Sequence, residues 1–470
     1  MTMKHQNPGS FRDPYGSVFE INGRVFRGIK EEKALTTYKF LASDFYKANA
    51  KVKVVETKAI SIADVVEAGL PRDVVNSFQL WVEHERVDFI TYPYEWSFEF
   101  LRRAAVFFLD LYIEALNNNL QLKDSSTYNI QFLGCNPIFI DTLSFEPYES
   151  GNKWVGYKQF CEQFLAPLAL SSYGGVDFNA WIRGSPDGLS IVDVSKLLPL
   201  KSFLSLTLLG NIHLQAMAMS KVSSGSSQSE ARGVAQIPKK NLIALMGSLK
   251  KFIEKLKAPR ESYWSSYDLK NSYSEESTKE KETIVKNFVA SQDLKNILDV
   301  GCNTGYFSDV ALKSGANLVI GLDIDSGAVN LASKRLYPSE KLFTPLLFDF
   351  TNPSPSMGWR LKERASLEER LPKIDGVICL ALIHHLVIGK NIPIEGFVDW
   401  ITRLSPSGII EFVPKEDEMV AGLLSNREDV FPKYSEKYFI ECLEQRVKIE
   451  QIFPIKNSTR KLILYGQIGC

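Results

Sequence analysis

Apolar and polar residues alternate across Gly16–Ile29, with Val18-Phe19-Glu20-Ile21 and Arg24-Val25-Phe26-Arg27 flanking Asn22-Gly23. That dipeptide tolerates the positive φ angles of a two-residue turn, so the stretch predicts a β-hairpin. The period changes to that of a helix over Lys30–Lys47, where Ala34, Tyr38, Leu41 and Phe45 share one face. Lys51–Ile60 and Arg86–Thr91 read as further strands, with a short helix near Ile62–Ala68 between them. Past Tyr92-Pro93-Tyr94-Glu95-Trp96 a long helix is predicted from Ser97 to about Asn118, built on Phe98, Leu101, Ala105, Phe108 and Leu111. Aromatic-rich Glu146–Leu170, then Leu189–Leu209 and Ile212–Met219, continue in helical period. The order is a small β-rich lobe, a connector and a helical lobe.

Serine, glycine, glutamine and charge dominate Lys221–Lys239, which predicts a flexible linker over 221–240. It separates an N-terminal domain, 1–220, from a C-terminal domain, 241–470, whose core begins near 290. Leu242–Leu256 reads as an amphipathic helix with a solvated lysine face, and Thr278–Ala290 as a second helix. Tyr267 and Tyr273 lie between them, aromatic residues ahead of the first strand of the C-terminal core.

Ile297, Leu298 and Val300 form a short apolar run that breaks at Gly301 and Gly305 before a helix beginning at Phe307. Strand, glycine turn and helix make the opening unit of a dinucleotide-type α/β fold. The glycines let backbone approach a ligand, and the helix N-terminus presents N–H groups. The next strand, Asn317–Leu322, ends in Asp323, 22 positions beyond Gly301; a carboxylate at about 20 residues reaches a ribose in such folds. Leu346–Phe350, Gly376–Leu382, Ile409–Val413 and Lys461–Gly466 read as later strands of the same sheet.

At 470 residues the chain exceeds one ordinary core, which predicts two domains. Lys+Arg and Asp+Glu balance at 55 each, so no global basic field points to nucleic acid. The six cysteines and five histidines show no zinc-ligand spacing. Met1–Asp13 lacks an apolar signal core and no apolar run is long enough to span a bilayer, so a cytoplasmic location without a transmembrane segment is expected.

The pattern Asp299-x-Gly301-x-x-x-Gly305 resembles the first motif of class I S-adenosylmethionine-dependent methyltransferases. The resemblance implies S-adenosyl-L-methionine as cofactor, with Gly301, Asn303 and Gly305 around its amino-acid part beside Asp299. Asp323 would accept from both ribose hydroxyls, and Asp349 would meet the adenine amine. Asp325 is expected to cap the following helix. Ala381-Leu382-Ile383-His384-His385-Leu386 resembles the motif after the fourth strand of many small-molecule methyltransferases. One of His384 and His385, with His385 preferred, would lie beside the transferred methyl as general base. Glu411 and Lys415 would border the acceptor pocket, and the insert Asn352–Arg370 would carry specificity.

Asp124, then Asn129, a short hairpin and Asp141 resemble the catalytic and metal loops of protein-kinase-like folds. That implies ATP with Mg²⁺, Asn129 and Asp141 as metal ligands and Asp124 as base. The chain departs from that pattern. Leu122-Lys123 stands where the family has His-Arg, Thr142-Leu143 follows the second aspartate, and no glycine-rich loop precedes the first hairpin. Arg27, Lys30 and Lys58 are alternative phosphate-pairing cations, and loop shaping by Asp124 and Asn129 is the competing account of those residues.

The whole chain resembles bacterial fusions of a kinase-like N-terminal domain to a class I methyltransferase, the nodulation-protein NoeA-like group. The expected fold class is α/β: a Rossmann-like methyltransferase domain preceded by a two-lobed α+β kinase-like domain. The expected activity is methyl transfer to a small-molecule or glycan- or lipid-linked acceptor, the N-terminal domain being a degenerate kinase-like recognition module. The alternatives are a bifunctional kinase–methyltransferase and a SAM-binding scaffold or sensor without turnover.

Overall fold

The computed structural model describes residues 5–467 except Lys51, 224–236, 260–273, 339–340 and Asn426. Most of the expected linker, and Tyr267 and Tyr273, lie outside the described residues. The chain divides into two compact units. The first is Met1–Phe132, Pro137–Pro259 and Ser354–Arg370; the second is Leu133–Asn136, Arg260–Pro353 and Leu371–Cys470.

In the first unit β1 (Gly16–Ile21) and β2 (Arg24–Ile29) pair antiparallel, Ile21 opposite Arg24. Asn22 and Gly23 turn between them at φ 49° and 77°. With β3 (Thr57–Ile60) and β4 (Leu80–His84) they form an antiparallel sheet in the order β1-β2-β4-β3. Phe19, Ile21, Phe26 and Trp81 bury one face of that sheet against Val65, Leu70 and Val75. The strand between β2 and β3 is Leu80–His84 and not the expected Arg86–Thr91. The ladder ends where Glu85 N–H reaches the Glu56 carbonyl, so the apolar residues beyond it have no strand to pair with. Lys51–Ile60 is likewise a strand only over its last four residues, and the first helix stops at Ala42, where Ser43 caps a second short helix.

The helix Phe98–Asn117, capped by Ser97, is buried along most of its length. From it Phe100 stacks on Phe132, and Phe108 on Phe160 and Phe164. Ahead of the later helices come β5 (Leu120–Leu122), paired with β8 (Phe145–Pro147), and the hairpin of β6 (Ile130–Leu133) with β7 (Asn136–Phe139). Glu146 thus sits in a strand, and the aromatic-rich helix starts only at Tyr157. Lys239–Glu254, expected to open the C-terminal domain, belongs to the first unit. It buries Leu242, Met246, Leu249 and Ile253, and Lys250 pairs with Asp110 of the long helix at 2.7 Å.

The second unit holds a seven-stranded sheet in the order β11-β10-β9-β12-β13-β15-β14. Its strands are β9 (Asn296–Val300), β10 (Leu318–Asp323), β11 (Leu342–Leu347), β12 (Gly376–Cys379), β13 (Gly408–Phe412), β14 (Lys448–Pro454) and β15 (Lys461–Gly466). The first five run parallel and β15 enters antiparallel against β13. The order reverses between β9 and β12, and the carboxyl ends flanking such a switch point form the crevice in which open α/β sheets bind ligands. The unit is Rossmann-like α/β. Among the described residues no helix is long and apolar enough to cross a membrane.

Candidate functional site

From β9 the chain turns through Gly301 (φ 80°), Asn303 (φ 48°) and Gly305 (φ 77°) into the helix Tyr306–Lys313. Gly301 N–H and Cys302 N–H both donate to the Leu322 carbonyl, at 2.8 and 3.1 Å, tying the turn to β10. Gly305 is required twice over: its backbone is left-handed, and a Cβ there would stand 2.8 Å from the Phe343 ring. At Gly301 a Cβ would lie 3.5 Å from the Leu382 side chain, so the turn abuts the loop that follows β12.

Asp323, the last residue of β10, accepts from Asn303 N–H at 2.8 Å through Oδ2 and from Asp325 N–H at 2.9 Å through Oδ1. Each oxygen retains a second lone pair. Burial raises its pKa, against the pull of those N–H groups. Asn303 Oδ1 is buried without a partner. Asp325 accepts from Ala328 N–H at 2.8 Å and so caps the helix Ser326–Arg335. Asp299 is buried behind the turn, receives the Ser308 hydroxyl at 2.5 Å, and is pushed up to about 7 by burial. Asp349 lies two residues past the end of β11, where its Oδ1 accepts from the Thr351 N–H and hydroxyl at 2.8 and 2.7 Å.

β12 ends at Cys379, three residues earlier than its sequence predicts. Ala381 takes φ 50°, an unusual angle for a residue with a Cβ, and the helix Ile383–Lys390 begins just after it. His384 and His385 therefore occupy a first helical turn instead of a strand end, their ring centroids 4.1 Å apart. His384 is buried with neither ring nitrogen partnered, and burial followed by the charge of His385 pushes it down to about 2. His385 is half-buried, and burial lowers it too.

Two expected pocket residues have other partners. Glu411 on β13 is fully buried and bonded by Lys281 of the helix Glu275–Ser291 at 2.7 Å, with Arg460 at 3.8 Å. Lys415 pairs with Asp429 at 2.6 Å. Sequence reasoning missed Lys281 because a lysine in a charged amphipathic helix carries no mark of burial.

In the first unit, Asp124, Asn129 and Asp141 do converge. Asn129 Nδ2 and the Ser144 hydroxyl donate to Asp124 Oδ1 at 2.9 and 3.0 Å. Of the three candidate cations, Arg27 is the one that reaches the set, bonding Asp141 at 2.8 Å and Asp13 at 2.6 Å. Lys58 pairs with Glu83 and Lys30 with the Pro14 carbonyl. Burial pushes Asp124 up to about 6, with Asp141 adding to it; burial also acts on Asp141, but Arg27 and Lys123 hold it low. Among the described residues no group of three or more His, Cys, Asp or Glu side chains is arranged to hold a metal ion. Asn129 is bonded to Asp124 through its amide nitrogen and Asp141 to Arg27 through Oδ1.

The insert after Asp349 is placed by contacts no sequence pattern announced. Its residues Ser354–Arg370 are part of the first unit. Arg370 makes a buried ion pair with Glu95, donates to the Ile90 carbonyl and lies over the Tyr92 ring at 4.3 Å; Arg364 lies over Tyr128 at 4.2 Å.

Residues 277–379 match the FtsJ-like methyltransferase family. The nodulation protein NoeA of Rhizobium meliloti (strain 1021) is 38% identical over 467 residues, covering 97% of this chain and 95% of that protein. The chain belongs to the NoeA family. Among solved structures, magnesium protoporphyrin IX methyltransferase of Synechocystis PCC 6803 with bound SAH is 17% identical, covering 41% of this chain and 84% of that one at a TM-score of 0.29. The N-methyltransferase NodS of Bradyrhizobium japonicum WM9 is 10% identical, covering 41% and 97% at a TM-score of 0.29. This NoeA-family chain is a methyltransferase, and the class carries S-adenosyl-L-methionine with it as methyl donor.

Proposed function

We propose that the enzyme methylates a small-molecule or glycan-type acceptor, lipid-linked glycans included, with His384 and His385 on the acceptor side. The first unit is a degenerate kinase-like recognition module in this reading. The observation that carries it is the pair of buried, unpartnered ring nitrogens of His384, in the helical turn just after the loop whose Leu382 lies against the glycine turn. A buried polar group without a partner is costly unless something arrives to satisfy it.

When bound, S-adenosyl-L-methionine supplies a methyl group activated by its sulfonium. The chain holds and orients it. Asp323 offers paired acceptors to two ribose hydroxyls, Asn303 Oδ1 offers its orphaned lone pairs to the amino group, and Asp349 offers Oδ2 to the adenine amine. Gly301 and Gly305 keep backbone open to the ligand, and Asp299 braces the turn through Ser308. His384, neutral at physiological pH, accepts a hydrogen bond from the acceptor hydroxyl or amine and lines it up for in-line attack. His385 is less deeply buried and is the better of the two at taking the proton.

The reading is tested by incubating the purified protein with methyl-labelled S-adenosyl-L-methionine and fractionated extract of its own host. Label is expected in the glycan, lipid or small-molecule fraction and lost in His385→Ala. Label in RNA or protein overturns the acceptor class. Donor binding without label in any fraction favours the scaffold reading.

Phosphoryl transfer is the second reading, favoured by Asp124 held near a physiological pKa beside Asn129. Arg27 on Asp141 weighs against it. ATP·Mg²⁺ binding that disappears in Asp141→Ala would restore it.

A further inference from the structure

Leu200, Leu204 and Leu206 are 85%, 87% and 85% exposed, all within one short run of the first unit. Leu197 just before them, and Leu214 and Met217 on the helix Leu214–Ser223 that packs alongside, are about half exposed. An isolated exposed leucine is ordinary, but a cluster of this kind marks an interaction surface.

The turn that presents these leucines is braced from beneath. His213 is fully buried and bonds the Ser195 hydroxyl through Nδ1 at 2.8 Å and the Ser202 hydroxyl through Nε2 at 2.9 Å. Phe203 stacks on its ring with centroids 3.7 Å apart. Ser195 belongs to the helix Ile191–Leu197 and Ser202 to the 3₁₀ turn Leu200–Leu204, so one imidazole fastens the protruding turn to the helix before it. The leucines are held outward by a built support.

We propose that this leucine turn docks the protein on an anionic bilayer surface, the leucines entering the headgroup–acyl boundary without spanning it. Charge selects the occupant. From Val194 to Ser229 the sequence contains no Asp or Glu, while Lys196, Lys201 and Lys221 fall in the same run. Lys201 is exposed beside the leucines, its ammonium 5.9 Å from the Tyr173 ring, and Lys196 lies 3.8 Å from Asp193 at the edge of the run. Leucines flanked by lysines in a stretch of sequence without acids match the composition of an interfacial membrane contact. Protein-binding hot spots favour Trp, Tyr and Arg, with leucine under-represented and lysine depleted from interfaces.

The test is co-sedimentation of the full chain with vesicles of phosphatidylcholine containing a minor fraction of phosphatidylglycerol, against vesicles of phosphatidylcholine alone. The intact protein is expected to bind the anionic vesicles more tightly. The triple variant Leu200→Ser, Leu204→Ser, Leu206→Ser should lose at least about tenfold of that partitioning. Its thermal unfolding should be unchanged, since the three side chains are already in water. Lys201→Glu, which leaves the leucines intact, should weaken binding to the anionic vesicles and not to the neutral ones. No binding of the intact protein, or binding equal in the triple variant, overturns the proposal. A dimer that the leucine substitutions dissociate, without vesicle binding, reassigns the surface to a second copy of the chain.

Discussion

The backbone N–H of Asn303 donates to Asp323 Oδ2 at 2.8 Å. One carboxylate thus fixes the shape of the glycine turn and also stands where the ribose of the methyl donor is proposed to lie. The turn and the proposed sugar site share this carboxylate, and damage to Asp323 would fall on both.

Asp323→Ala should therefore weaken S-adenosyl-L-methionine binding by about 3–6 kcal/mol, the range of two lost charge-assisted hydrogen bonds. Asp323→Asn, which retains one acceptor oxygen, should fall between the variant and the parent. Isothermal titration calorimetry separates the three. Unaltered affinity in the alanine variant would mean that the ribose lies elsewhere.

The histidines make stability depend on pH in a defined direction. The folded pKa of His384 is pushed down to about 2 and that of His84 to about 3, chiefly by burial. Below the unfolded value of about 6.5, the unfolded chain binds protons that the folded one refuses, so stability falls as pH falls through that window. Asp299, raised to about 7, acts with opposite sign between about 4 and 7, so the net curve does not isolate one group. The comparison of His384→Phe with the parent does. The variant should lose less stability between pH 7.5 and 5.5, by roughly 1 kcal/mol, in urea titrations at both pH values. Identical pH dependence would place His384 in contact with water.

Arg27 is buried between Asp13 and Asp141. Arg27→Met leaves two carboxylates without their cation and should cost about 3–5 kcal/mol near neutral pH. Freed from the guanidinium, Asp141 is left to the burial that raises its pKa. The loss should shrink on acidification, as that carboxylate takes up its proton. Unfolding followed at pH 7 and pH 5 checks both statements.

Arg370 forms its buried pair with Glu95, and burial raises Glu95 despite the guanidinium. Arg370→Met should destabilise the protein by about 3–5 kcal/mol, whereas removing both charges, as Arg370→Met with Glu95→Gln, should recover much of the loss. A double-mutant cycle by chemical denaturation measures the coupling. Additive effects would show that the pair contributes nothing of its own.

Much was legible in the residue pattern because it depends on local sequence. The Asn22-Gly23 turn, the glycine turn after β9, the Asp323 position and the Asp325 cap each follow from the conformational preference of one or two residues. The succession of strands in the second unit was legible in the apolar runs, whereas their order in the sheet was not, because spacing does not say which strands pair. The misassigned strand at Arg86–Thr91 shows where that logic stops. Leu80–His84 and Arg86–Ile90 have similar apolar content, and only the presence of neighbours on both sides makes the former a strand.

The glycine-turn methyltransferase core was legible because strand, turn and helix follow one another at short spacing, whereas the approach of Asp124, Asn129 and Asp141 to one another was legible only through the resemblance of their pattern to kinase-like loops. Which charges pair depends on packing. Arg27 on Asp141, Arg370 on Glu95 and Lys281 on Glu411 join residues 114, 275 and 130 positions apart. A charged side chain looks the same in sequence whether solvated or buried, and its partner is chosen only when packing has excluded water around both.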